Sequence, residues 1–273
     1  STLGVNGTVA DDSVALPVVA GIQAGGDDTY VDISAGDTSA CALDVSGQAY
    51  CWGRNNDGQV GDGTTSFAAA ATPVANGANG GGTYADIDAG GKHACGVTSS
   101  GAAYCWGQNG QGRLGDGTTD RRLTPVAVLA GENTSGGWKQ ISAGSWFTCA
   151  IGLDDSAYCW GAGSAGTLGN GATSNSSTPV RVLGGPYRTV SAGVGHACAV
   201  TADMQVDCWG SNSSGQLGDG TITSATTPVR AATPSGAGAW DVQVGAGFTC
   251  ARMTDNGAMC WGDNTYGQLG LGY

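Results

Sequence analysis

Along this chain, apolar and polar residues alternate in short runs, and stretches rich in glycine, asparagine and aspartate separate the runs. In Cys41–Gly53 (CALDVSGQAYCWG), small and apolar residues alternate up to Val45, Ser46-Gly47 interrupts, and the alternation resumes from Gln48 to Trp52. That pattern predicts two short antiparallel strands joined by a tight glycine-containing turn. It returns at Cys95–Gly107, Cys149–Gly161, Cys198–Gly210 and Cys250–Gly262. Each copy is preceded by a further short strand (Val31–Ser34, Ala85–Asp88, Lys139–Ser142, Arg188–Ser191, Asp241–Val244) and an Ala-Gly-type turn. After each copy comes a glycine-rich bend such as Gly58-Gln59-Val60-Gly61-Asp62-Gly63-Thr64. A last strand carries Thr-Pro-Val at Thr72–Val74, Thr124–Val126, Thr178–Val180 and Thr227–Val229. Proline lacks an N–H, so it suits an outer edge where one ladder face is unpaired.

The units begin at Tyr30, Tyr84, Trp138, Tyr187 and Trp240, steps of 54, 54, 49 and 53 residues. Four strands repeated at such a period describe the blades of a β-propeller. The predicted fold is therefore all-β: a five-bladed propeller of four-stranded antiparallel blades, forming one domain over residues 1–273. The fifth unit stops at Tyr273 without its last strand, while Leu3–Thr8 resembles a bend and Leu16-Pro17-Val18 resembles Thr-Pro-Val. Residues 1–29 are accordingly expected to complete the fifth blade and remove two open strand edges.

Side chains alternate along a strand, so a hairpin that sets Cys41 opposite Cys51 points both sulfurs to one face. The constant spacing predicts five bridges: Cys41–Cys51, Cys95–Cys105, Cys149–Cys159, Cys198–Cys208 and Cys250–Cys260. Each closes a loop worth ~2.5–3 kcal/mol in the chain-entropy model. Zinc ligation fits poorly, because its cysteines stand two to four residues apart or beside histidines, and only His93 and His196 occur. Paired cysteines require an oxidising compartment, which predicts a secreted or cell-surface protein whose signal peptide has been removed. No apolar run is long enough to span a bilayer, so no membrane insertion is expected.

Composition agrees with an all-β reading. The chain has 51 glycines, only 12% charged residues, and little lysine or glutamate to build helix surfaces. Its net charge of −12 opposes nucleic-acid binding through a broad basic surface.

Further elements carry a family resemblance: the A-G-x-x-H turn at Ala89–His93 and Ala192–His196, the Trp-Gly-x-Asn, and Gly215-Gln216-Leu217-Gly218. Over nearly its whole length the chain resembles the regulator of chromosome condensation repeat family, in a secreted, disulfide-containing form. The resemblance implies a β-propeller, usually of seven blades, so five units and a cysteine pair in each are departures. The chromatin-binding and nucleotide-exchange activities of the nuclear members are not carried over, since this acidic chain has neither a basic tail nor a long inserted loop. A secreted bacterial β-lactamase inhibitor built on the same repeat shows that the scaffold can serve as an extracellular protein binder.

His93 and His196 share a repeat position with Ser39, Phe147 and Phe248, which marks a buried site with backbone partners for the ring rather than a catalytic one. The Asn55–Gly58 and Gly61–Gly63 bends lack the alternating acids of a calcium loop, and turn chemistry explains them. Asp154-Asp155 and Asp11-Asp12 read as solvated turns rather than a glycosidase pair. Sequons occur at Asn6, Asn133, Asn175 and Asn212; the last shares a turn position with Asn55, Asn109 and Asn264.

Two aromatics break the repeat. Trp146 stands where other units have Thr38, Lys92, Gly195 and Gly247, and Tyr266 where they have Asp57, Gln111, Ala165 and Ser214. Both belong to loops that emerge on one disc face, and exposed Trp and Tyr anchor binding surfaces. The functional expectation is a non-enzymatic binding or cell-surface module without cofactor or metal, its partner a protein, a cell surface or a second copy. The alternatives are a subunit of an extracellular filament joined by strand exchange, and an extracellular hydrolase.

Overall fold

In the computed structural model, the described residues are Val18, 29–233 and 237–272. The first blade comprises β1 (Tyr30–Ala35), β2 (Ser39–Asp44), β3 (Ala49–Gly53) and β4 (Ala68–Pro73). The second has β5 (Tyr84–Ala89), β6 (His93–Thr98), β7 (Ala103–Gly107) and β8 (Arg122–Ala127); the third has β9 (Trp138–Ala143), β10 (Phe147–Gly152), β11 (Ala157–Gly161) and β12 (Ser176–Arg181). The fourth consists of β13 (Tyr187–Ala192), β14 (His196–Thr201), β15 (Val206–Gly210) and β16 (Ala225–Arg230). Strands β17 (Ala239–Val244), β18 (Phe248–Met253) and β19 (Ala258–Gly262) make the fifth. Every sheet is an antiparallel meander in chain order, giving a five-bladed β-propeller architecture with three described strands in the last blade. The expected completion of that blade by residues 1–29 lies outside the described residues, apart from Val18.

Within each blade the hairpin register is the one the alternation demands. Cys41 faces Cys51, and the other four cysteine pairs face each other in the same way and are bridged. The first blade's outer strand departs from expectation. Thr72 faces Cys51, whereas Val126, Val180 and Val229 face Cys105, Cys159 and Cys208, so its Thr-Pro-Val lies two residues further along. The bend fixes this register. Asp62 Oδ1 accepts from Asn55 Nδ2 (3.1 Å) and from Thr64 N (2.9 Å), and Asp116 binds Asn109 and Thr118 in the same way. Counted from either aspartate, the outer strand starts at the same step, whatever residues fill it.

Besides a cluster on the first blade (Ala40, Ala42, Tyr50, Trp52 and Ala71) with Val18 packed against it, four apolar cores form between blades. Each receives the cysteine face of one blade and the Tyr/Trp face of the next; Cys41, Leu43 and Val60, for example, pack on Tyr84, Ile87 and Trp106. Two contacts recur at these junctions. The indole of Trp106 donates to the Gln59 carbonyl (3.0 Å) and covers Gly61, where a Cβ would come within 2.7 Å of the ring. Nearer the axis, a Cβ on Gly90 would meet the Gly144 carbonyl at 2.4 Å. Only glycine permits that approach.

Around the axis, side chains of the inner strands sew neighbouring blades together and line a polar channel of about 380 Å³. Asp88 accepts from the hydroxyl of Ser34 in the first blade and, in the third, from Ser142 Oγ (3.1 Å) and Ala143 N (2.8 Å). Asp86 accepts from Ile141 N (2.8 Å). Gln140 continues to Val190, Ser142 to Ala192 N (3.0 Å) and Ser191 to Val244 N (3.1 Å).

Burial, opposed by the Ile141 hydrogen bond and reinforced by Asp88 and Asp32, raises Asp86 from 3.8 to about 6, and burial raises Asp88 as well. Folding therefore favours the protonated carboxyl. The stability this gives is complete below pH 4 and is lost as the pH rises through 6. The thermal midpoint is expected to fall between pH 4.5 and 7.5. Asp86→Asn, which still accepts from Ile141, should flatten that fall by up to ~3 kcal/mol, read from melting curves across the range. An unchanged slope in the variant contradicts the assignment. In a second test, Gly107 has φ 106°, and a Cβ there would sit 2.6 Å from the Lys92 carbonyl. Gly107→Ala should cost about 2–4 kcal/mol in urea unfolding.

Candidate functional site

The clearest departure from repeat symmetry lies on the disc face formed by the first-to-second and third-to-fourth strand loops. Asn55, Asn109 and Asn212 are buried, and each side chain ties its own bend together. In the third blade Gly163 takes that position and offers no side chain. The bend becomes a short 3-10 turn, Ser164–Gly166, with Ala165 in the left-handed region at φ 57°. Asn175, from the following loop, accepts from the Gly163 N–H (3.0 Å). A groove of about 550 Å³ opens there, lined by Trp146, Ala165 and Asn175 of the third blade, Gln111 of the second, and Val194 and Ser211 of the fourth.

Trp146 forms one wall and is 43% exposed. Beneath it lies Arg113, at a position filled elsewhere by Gln59, Thr167, Gln216 and Gln268. Those glutamines close their own turns; Gln59 Oε1, for instance, accepts from Asp57 N (3.0 Å). Arg113 instead reaches across the blade junction. Its Nη1 donates to the Ser145 carbonyl (2.7 Å), its Nη2 donates to Gln111 Oε1, and its guanidinium carbon sits 4.8 Å from the centroid of the Trp146 ring. The side chain is fully buried, and desolvation lowers its pKa to about 10, so it remains a cation at neutral pH. A buried cation against one face of the indole fixes the ring's orientation and leaves its other face to the groove. The indole thus covers the neighbouring blade with one side and meets solvent with the other. Tyr266, 91% exposed, lies on the fifth blade and does not line the groove.

The remaining sequence candidates sit elsewhere. His93 and His196 are buried, but their partner is a side chain rather than backbone: each Nε2 pairs with a threonine hydroxyl of the following blade, Thr148 (2.8 Å) and Thr249 (2.9 Å). Each Nδ1 is unpartnered. Burial lowers His196 to about 4 and holds His93 well below the ordinary imidazole range, with Arg113 adding to the latter, so both rings are neutral at pH 7. Asp154 accepts from Ser156 N (3.1 Å) and the Tyr158 hydroxyl (3.1 Å), while Asp155 pairs with Lys139. These carboxylates hold the turn. Among the described residues no three His, Cys, Asp or Glu side chains converge as metal ligands would, and no helix is long and apolar enough to cross a membrane. Asn212 Nδ2 is committed to Asp219, Thr221 and Thr223, and Asn133 Nδ2 to the Gly137 carbonyl. Asn175 is exposed, while Asn6 and Asp11-Asp12 lie outside the described residues.

The comparisons with known proteins agree with this architecture. Human probable E3 ubiquitin-protein ligase HERC3 is 33% identical over 175 residues, 63% of this chain and 16% of HERC3. The Arabidopsis thaliana ultraviolet-B receptor UVR8 is 33% identical over 153 residues, 56% of this chain and 34% of the receptor. The crystal structure of Prp20p from Saccharomyces cerevisiae superposes with a TM-score of 0.77 at 19% identity, covering 88% of this chain and 58% of Prp20p. This chain thus spans less than two thirds of each relative. The repeat elements at Ala89–His93, Ala192–His196 and Gly215–Gly218, the meander blades and a family model matching residues 1–273 converge on one conclusion: the chain belongs to the RCC1-like domain family.

Proposed function

We propose that this chain is an extracellular, non-catalytic binding module whose protein partner docks on the disc face that carries the Trp146 groove. The observation that carries this reading is the half-exposed indole held by the buried Arg113 guanidinium. A large aromatic surface fixed before contact loses little conformational entropy on binding, which is the property of interface anchors. Tyr266, free of the groove and almost fully exposed, is a second contact on the same face. The five disulfides support an oxidising, extracellular setting. Protein binding has a parallel among the solved structures: that of Prp20p is described together with its binding to Gsp1p and histones.

The test is affinity capture of extracellular proteins on the immobilised chain, with cross-linking and mass spectrometry to locate the contact. Trp146→Ala should weaken capture at least tenfold, about 2 kcal/mol for a buried anchor, with its melting temperature unchanged. If Trp146→Ala and Tyr266→Ala both retain the captured partner, the face assignment is wrong. Arg113→Gln restores the residue that three other repeats use and should fold normally. Its Trp146 emission should shift to the red as the ring loses its backing, and capture should weaken by a smaller factor than in Trp146→Ala.

A further inference from the structure

The sequons of this chain meet very different surroundings. Asn133 is buried, and its Nδ2 donates to the Gly137 carbonyl (3.0 Å). Asn212 is buried as well, with its Nδ2 shared among Asp219 Oδ1 (3.2 Å) and the carbonyls of Thr221 (3.1 Å) and Thr223 (3.1 Å). A sugar on either nitrogen has to displace those contacts and push into packed protein. Asn6 lies outside the described residues. Asn175, which opens Asn175-Ser176-Ser177 just before β12, is exposed.

The fold uses only the oxygen of the Asn175 amide. The residues just before β4, β8 and β16, its equivalents in the other blades, are Phe67, Arg121 and Ser224, and all are exposed. In the fourth blade Ser224 Oγ accepts from Asn212 N (3.3 Å), as Asn175 Oδ1 accepts from Gly163 N (3.0 Å) in the third. A serine hydroxyl is therefore enough for the structural task. The Asn175 Nδ2 donates to no described residue, so the amide nitrogen faces solvent without a role inside the fold. Ser177, the other half of the sequon, is held through its backbone, where its carbonyl accepts from Gly117 N (2.9 Å).

We propose that Asn175 is an N-glycosylation site and that its glycan covers the Trp146 groove. A sequon in an exposed loop of a secreted protein is an acceptor for N-linked sugar, and the oxidising compartment that the five disulfides require is consistent with that route. The donor is a lipid-diphosphate-linked oligosaccharide. The bond from its first sugar C1 to the diphosphate oxygen breaks, a bond from C1 to Asn175 Nδ2 forms, Nδ2 gives up one proton, and the lipid diphosphate leaves. The substituted amide keeps its oxygen, so the contact with Gly163 survives. Asn175 lines the groove together with Trp146, so the sugar chain starts at the groove's own wall. It screens the indole and competes with a docking partner, a consequence that rests on Trp146 being the docking anchor.

The test uses the full chain secreted from cultured eukaryotic cells, cleaved with peptide-N-glycosidase in heavy-oxygen water and mapped by peptide mass. Asn175 should become labelled aspartate, with Asn133 and Asn212 unlabelled. An unlabelled Asn175 overturns the proposal, and label on Asn133 or Asn212 overturns the burial argument behind it. Ser177→Ala keeps Asn175 but breaks the sequon, and Asn175→Ser installs the fourth blade's residue. Each should lower the intact mass by one glycan. Each should also raise acrylamide quenching of the emission that Trp146→Phe removes, and increase capture of the partner. Unchanged quenching after loss of the glycan means that the sugar does not cover the groove. Trp146-dependent capture with an unmodified Asn175 sinks this inference and leaves the docking face standing. A glycan on Asn175 with capture indifferent to Trp146 does the reverse.

Discussion

The structure depends on how closely one blade can approach the next. Near the axis the backbones come within carbonyl contact at Gly36, Gly90, Gly144 and Gly193, a distance no side chain allows. Further out, the tryptophan of each following blade slides over a bend glycine and, in three of the four junctions, donates its N–H to the preceding bend. At the four described junctions the apolar cores lie between these two contacts, so each is shared by two blades rather than owned by one. Disulfides then fix each hairpin, and the series of hydrogen bonds along the channel fixes neighbouring inner strands to one another. Stability in such an array is a sum of junctions, and its ends are its weak points.

Because the junctions hold the frame, loops on the disc faces are free to differ. Most of them keep the Asn–Asp–Thr network of the bend and stay near the repeat. The third blade gives that network up at Gly163, and the groove follows from the lost side chain. Arg113 then turns a loop tryptophan into a fixed surface. A single exchange of glutamine for arginine on one blade thus sets the orientation of a residue on the next, which is how a repetitive scaffold acquires one distinct site.

The sequence made the blades legible because their physics is local. Alternation between Cys41 and Trp52 sets strand parity, and parity with constant spacing sets the cysteine pairing. The first blade's outer strand misled because Thr-Pro-Val is a conspicuous pattern that does not set the register; the Asn55–Asp62 hydrogen bond does, from ten or more residues away. The histidine position reads as buried from its exchange with phenylalanine, yet its threonine partner becomes visible only across the junction. Trp146 was legible as a repeat-breaking aromatic. Arg113 was not, since nothing near it announces a ring on another blade. In sequence Asp86 and Asp88 look like the polar positions of any alternating strand; their importance comes from facing a shared channel.

Native-state hydrogen exchange on the isolated chain at low concentration tests the central claim most directly. If junctions carry the stability, amides of β9 and β13, whose blades have a neighbour on each side, should exchange only through global unfolding. Those of β1 and β19, whose residues are more exposed than those of β9 and β13, should exchange faster by a factor of at least a hundred, through local opening worth about 3 kcal/mol less than global unfolding. Uniform protection across all five blades would contradict the account, because it would mean that the ends are as well packed as the middle.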